Sequence, residues 1–223
     1  MRRYVALLLT LTSLLAPFAW AKKKSKSTPL KTPPGREVTL ALSSYRAAGS
    51  IQAKVKKTVV QEALGTETKS EGNFYFSKGK LRMEILEPEH SLLVYDGKSV
   101  WFETAIDESR MHVTHMRANE LKRADSLLTA LFDRKDLMKT FLLKTTKVVD
   151  GGIRVFAFEP KDKKKSEVQM LEIALKDKNI QRITYLDQID NRVTLEFSEM
   201  TKGSVPTTKF VYKVPKNAEL VNL

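Results

Sequence analysis

The sequence predicts a mainly β (α+β) protein: one antiparallel sheet of about ten or eleven strands, curled, with amphipathic helices against its apolar face. Three observations predict it. Apolar and polar residues alternate over much of the chain, so only one face of the sheet is greasy. Turn residues recur at Gly79, Asp96-Gly97, Gly151-Gly152, Asp177 to Asn179 and Asp190-Asn191, which predicts hairpins from end to end. No cysteine occurs in the 223 residues, so the core alone must hold the fold.

The chain opens with Arg2 and Arg3, an apolar stretch from Val5 to Leu15, and Ala19-Trp20-Ala21. That order reads as a secretory signal peptide over 1–21, the alternative being an uncleaved membrane anchor. Residues 22–36 hold six basic side chains, three prolines and one sizeable apolar residue, Leu30. They cannot bury enough to offset their ordering entropy and are expected to form a disordered arm. The folded domain is then 37–223.

A helix is predicted over Glu37 to Ala48, with Val38, Ala41, Leu42 and Tyr45 on one face and Gly49 as its stop. The period then switches to two. Ile51, Ala53, Val55 and Val59 share one side of a strand, opposite Gln52, Lys54 and Lys56; Leu81, Met83 and Ile85 oppose Arg82 and Glu84. Later strands centre on Val113, Lys147, Phe156, Ile173, Ile183, Leu195 and Tyr212. So many strands do not stay flat. One interruption, Asn119 to Phe132, places Leu121, Ala124, Leu128 and Leu131 at helical spacing; Asp136 to Phe141 adds a turn or two. A long connection there is suited to lie across the open face of the sheet.

The formal net charge is +13, much of it in the arm. An exported protein meets little nucleic acid, so none is expected as a partner. Anionic membrane headgroups suit a Lys-rich arm, and so does plain solvation. Catalytic signals are missing. His112 and His115 would point to opposite faces of a strand, which excludes a shared metal, and His90 reads as a solvated loop residue. Ser126 lacks the strained turn of a hydrolase nucleophile, Gly151-Gly152 is a lone pair rather than a phosphate loop, and Asp107-Glu108 are adjacent in a loop. Neither a catalytic residue, a metal nor a cofactor is expected. From composition alone, the helices either fill the concavity as an ordinary core or leave it hollow.

The stretch GNFYFSKGKLRMEILEPEHSLLVYDGKSVWF, Gly72 to Phe102, resembles the outer-membrane lipoprotein carrier family, the LolA-type periplasmic chaperones. It keeps that family's order: glycine, aromatic strand, basic turn, strand, proline, apolar strand, DGK and an aromatic pair. One residue is missing, beside Lys78. Weaker similarity runs through Leu171 to Met200 and the terminal KFVYKVPKNAELV, so the resemblance covers about residues 37 to 221. It implies an unclosed antiparallel β half-barrel whose helices cover an apolar cavity for acyl chains. It also implies a monomeric periplasmic carrier that takes acylated lipoproteins from an inner-membrane ABC-type releasing complex and hands them to an outer-membrane acceptor. The alternative on the same fold is a periplasmic sensor of lipid or lipoprotein, suggested by the long Lys arm; a lipid-acting enzyme is a third reading.

On this resemblance the cavity is expected to be lined by Ile51, Val55, Phe74, Phe76, Leu81, Met83, Ile85, Leu92, Val94, Val100 and Phe102, with Leu121, Leu128 and Leu131 beneath the lid. Relatives often carry larger aromatics where Leu81 and Met83 stand, and a Gln where Ser109 stands. In the family an arginine in the basic turn latches the lid. Lys78 is the nearest match, without the proline that follows it in relatives. A lysine is a mobile point charge rather than a rigid fork, which leaves room for a latch elsewhere.

Overall fold

The computed structural model describes residues 34–107, 110–117, 127, 131 and 137–223. The signal-peptide reading and the arm up to residue 33, and with them Leu121, Leu128, Ser109 and Ser126, lie outside the described residues; residues 34–36, expected in the disordered arm, are helical instead.

The first element, α1 (Pro34–Ala47), starts three residues ahead of the predicted helix, on a proline whose fixed φ and missing N–H suit a first turn. It ends at Gly49, which takes φ 77° as a helix-terminating glycine does. The strands follow as β1 (Ser50–Gln61), β2 (Thr66–Ser77), β3 (Lys80–Glu87), β4 (Ser91–Tyr95), β5 (Ser99–Ala105) and β6 (Met111–Arg117). After the short helix α2 (Leu137–Thr140) come β7 (Phe141–Val149), β8 (Ile153–Pro160), β9 (Val168–Lys176), β10 (Asn179–Asp187), β11 (Asn191–Lys202) and β12 (Ala218–Asn222).

These twelve strands form one unclosed sheet in the order β12-β6-β5-β4-β3-β2-β1-β11-β10-β9-β8-β7. Every pairing is antiparallel except β12 with β6, which is parallel. Two expectations change here. The count is twelve rather than ten or eleven, and the last strand does not centre on Tyr212. Pro206 and Pro215 bracket that segment and remove N–H groups a ladder would need. A parallel partner requires a long crossing connection, and residues 203–217 supply it over the outer face.

Two hairpins explain the DGK and SKG motifs. The Asp96 carboxylate accepts the N–H groups of Lys98 and Ser99, each at 2.8 Å, so its side chain closes the β4–β5 turn. The β2–β3 turn is the pair Lys78-Gly79, with φ 45° and 76°. Positive φ at both central residues is the tight hairpin geometry, and a proline could not adopt it at position 79.

The core sits on one face of the sheet. Direct pairing places Ile51, Phe76, Leu81, Tyr95, Val100 and Met116 in one row, and Ala53, Phe74, Met83, Leu93 and Phe102 in the next. Helix α1 lies against this face and packs on β1, β8 and α2. Strands β1 and β8 stand four places apart, about 19 Å if the sheet were flat, and a helix is only about 10 Å across. The sheet therefore wraps around α1. The Tyr45 hydroxyl fixes the helix by accepting the Ile180 N–H at 2.7 Å, and burial raises its pKa above the ordinary tyrosine value.

Candidate functional site

A hollow of about 810 Å³ opens at one end of the inner face. Phe102 of β5 stands on one side, Lys57 and Val59 of β1 at the back, and Tyr185 of β10 with Val193 of β11 on the other side; residues 164–167, 187–189 and 191 form the rim. Strands β5 and β10 are six places apart, about 29 Å on a flat sheet, so only a curled sheet lets them bound one space. The hollow is continuous with the core: Val59 and Phe102 are half-buried and pack against the buried cluster. Ile189 stands on the rim with 74% of its surface exposed, an apolar lip rather than a core residue. The volume is that of pockets for drug-sized apolar ligands.

The residues expected to line a cavity separate into three groups. Ile51, Val55, Phe74, Phe76, Leu81, Met83, Ile85 and Val100 are buried in one packed cluster with α1, and Leu131 joins them from the lid region. They are the packed floor of the core rather than a cavity lining, and none of them bounds the hollow. Phe102 lines the hollow itself. Leu92 and Val94 belong to neither group and are corrected here. Leu92 pairs with Glu84 and Glu103, and Val94 with Arg82 and Trp101, so both face outward.

Strand β4 reads SLLVY because both its faces are buried. Over the outer face runs the C-terminal segment. Arg82 Nη1 donates to the Lys209 carbonyl at 3.2 Å, Lys209 lies over the Tyr75 ring, and Tyr212 stacks on Trp101 with ring centroids 5.0 Å apart. Tyr212 also donates its hydroxyl to the buried Glu103 carboxylate, and burial together with that bond pushes the Tyr212 pKa far above the ordinary tyrosine value. His90 is more than a solvated loop residue, since its Nε2 sits 3.1 Å from the other Glu103 oxygen. His115 stacks on Trp101 on this outer face, while His112 contacts Thr114 on the other face. Among the described residues no group of three or more His, Asp or Glu side chains is placed to hold a metal.

The latch expectation also changes. Lys78 is exposed, and its turn is tied down through its backbone N–H to the Gly49 carbonyl. A side chain that does reach the lid region, at Leu131, is Arg46, near the end of α1. Its Nη1 donates to the Leu131 carbonyl at 3.3 Å and its Nη2 to the Ser43 hydroxyl at 3.1 Å. No motif announces Arg46, which looks like an ordinary cation in the last turn of a helix. Lys57 was legible but passed over: it falls on the inner side between Val55 and Val59, where the alternation calls for an apolar residue.

The profile of a family described as "Outer membrane lipoprotein carrier protein LolA" matches residues 46–213. An outer-membrane lipoprotein carrier protein of Methylibium petroleiphilum is 27% identical over 172 residues, covering 76% of this chain and 81% of its own length. One from Bordetella pertussis is 25% identical over 169 residues, covering 75% and 78%. Among solved structures, a LolA superfamily protein of Nitrosomonas europaea aligns with a TM-score of 0.43 and 11% identity, over 81% of this chain and 99% of that one.

Proposed function

Because the chain belongs to the outer membrane lipoprotein carrier family, we propose that it is a non-enzymatic periplasmic carrier that shelters the acyl chains of lipoproteins and moves them from the inner to the outer membrane. The observation that carries this reading is the hollow between Phe102 and Tyr185, open at its rim and continuous with the core. Burying each methylene contributes about 0.8 kcal/mol, so one long acyl chain left in water costs on the order of 10 kcal/mol. A carrier must offset that cost and still release its cargo.

Arg46 fits the need for release. Its guanidinium bond to the Leu131 carbonyl contributes about 1 kcal/mol, small enough to break when a partner or an acyl chain competes for the space. Within this reading, an ABC-type releasing complex loads the carrier at the inner membrane and an acceptor unloads it at the outer membrane. The Lys-rich arm is suited to brief contact with anionic headgroups.

The test is release of a radiolabelled lipoprotein from inner-membrane vesicles into the soluble fraction by the purified chain. Wild type should solubilise the lipoprotein, and Phe102→Glu and Val193→Glu should not, while both variants keep the wild-type circular dichroism. Equal release by folded variants carrying these carboxylates would remove the hollow from the mechanism.

A further inference from the structure

Lys57 points the wrong way for a lysine. Its register partners are Leu195 and Ser70, and the residues two places before and after it are Val55 and Val59, all on the inner face. Lys54 and Lys56, by contrast, are outward and exposed. Half-buried, Lys57 lines the hollow at its back, and Lys164 and Lys165 line it from the rim. Lys165 has Asp162 at 3.5 Å, but Lys57 and Lys164 have no ion-pair partner among the described residues.

Two acids also line the hollow, Glu167 and Asp187. Asp187 is occupied by its own turn: Oδ1 accepts the N–H groups of Ile189 and Asn191 at 3.0 and 2.8 Å, and Oδ2 accepts the Asn191 side-chain amide at 2.9 Å. The hollow thus combines an apolar wall, Val59, Phe102 and Val193, with ammonium groups that Asp187 is not free to neutralise. A half-buried unpaired ammonium loses hydration without a partner, and a charge-assisted bond to an anion would restore the balance.

We propose that the hollow takes diacyl lipids bearing an anionic phosphate headgroup, with the acyl chains against Phe102 and Val193 and the phosphate on Lys57, and Lys164 adding to the field at the rim. This rests on the carrier reading and extends it to a second class of cargo, since the acyl anchor of a lipoprotein carries no phosphate: the site selects by headgroup charge as well as by hydrocarbon. A lysine suits phosphate as a point charge that tolerates a range of headgroup shapes.

The experiment titrates the purified full chain with three short-chain lipids below their micellar concentrations: dihexanoyl phosphatidylglycerol, dihexanoyl phosphatidylcholine and uncharged dihexanoylglycerol. The phosphatidylglycerol is expected to bind about tenfold more tightly than the uncharged lipid, the equivalent of one charge-assisted contact. Lys57→Met should bring the affinity for phosphatidylglycerol down to that for the uncharged lipid, while Lys57→Arg should keep the difference. Equal affinity for all three lipids, or an equal loss for all three in Lys57→Met, would overturn the headgroup assignment and leave the carrier reading standing. Failure of every lipid to bind wild type would overturn both. A preference for anionic vesicles that persists in Phe102→Glu would place these lysines on a membrane surface instead of in the hollow, and would also overturn the assignment.

Discussion

Arg46 donates its guanidinium to the carbonyl oxygen of Leu131 at 3.3 Å, joining the last turn of α1 to the lid region 85 residues further along the chain. Leu127 and Leu131 are buried in the same cluster as α1, so apolar contact and this polar bond both act on these two residues.

Replacing Arg46 with Met should loosen that region without unfolding the sheet. Loss of a half-buried hydrogen bond to a charged donor costs about 1 kcal/mol, which raises the open population about fivefold. Hydrogen exchange at the Leu127 and Leu131 amides should accelerate by that factor while β8 and β9 keep wild-type protection. Lys78→Met should change neither; faster lid exchange in Lys78→Met than in Arg46→Met would return the latch to the hairpin turn.

Floor and wall residues should respond differently to truncation. Leu81 is 1% exposed, so Leu81→Ala should cost about 2–5 kcal/mol in denaturant unfolding. Phe102 is only half-buried beside an existing hollow; Phe102→Ala should cost less than about 2 kcal/mol yet weaken binding of a palmitoyl probe about fivefold or more. If Leu81→Ala proved the milder change in stability, the division into floor and wall would be wrong.

Gly72 is fixed by space rather than by backbone dihedral. A Cβ there would overlap the backbone of Glu84 and Ile85, where β2 and β3 shift register. Backbone cannot step aside as a flexible side chain can, so Gly72→Ala should cost about 1–3 kcal/mol. Gly203→Ala, with open space around its Cβ, serves as the control and should stay within about 0.5 kcal/mol of wild type in the same thermal scan.

The C-terminal segment should give stability a signature at alkaline pH. Burial and the bond to Glu103 hold Tyr212 protonated above the ordinary tyrosine value of 10.0. A group whose folded pKa is raised contributes stability that is complete below its unfolded pKa and declines as pH climbs beyond it. Wild type should therefore lose melting temperature between pH 10 and 11.5 more steeply than Tyr212→Phe. Tyr45, also raised by burial, leaves a residual slope in the variant. Parallel curves would mean that Tyr212 ionises freely in the folded protein.

Much of this architecture was legible because period two is unambiguous where one face is wet. Ile51, Ala53 and Val55 against Gln52, Lys54 and Lys56 place β1 directly, and Asp96-Gly97 places a hairpin. Strand β4 defeated the same reasoning. SLLVY is apolar on both sides, and only its register against Arg82 and Glu84 reveals that Leu92 and Val94 face outward, beneath a segment whose return over the sheet no local pattern encodes. Arg46 was missed for a related reason: its partner, Leu131, lies 85 residues away, and a backbone carbonyl carries no sequence signature. The hollow is likewise a property of curvature, since Phe102 and Tyr185 meet only after six strands have turned.

The central claim is that hydrocarbon enters the space between Phe102 and Tyr185. Its most direct test is photo-crosslinking of the purified chain with a palmitoyl lipopeptide carrying a diazirine at the end of its acyl chain, followed by peptide mapping. The account predicts adducts at Val59, Phe102, Tyr185 or Val193. Adducts confined to the outer face around Leu92 and Trp101, or no adduct above that given by the lipopeptide without its acyl chain, would contradict it.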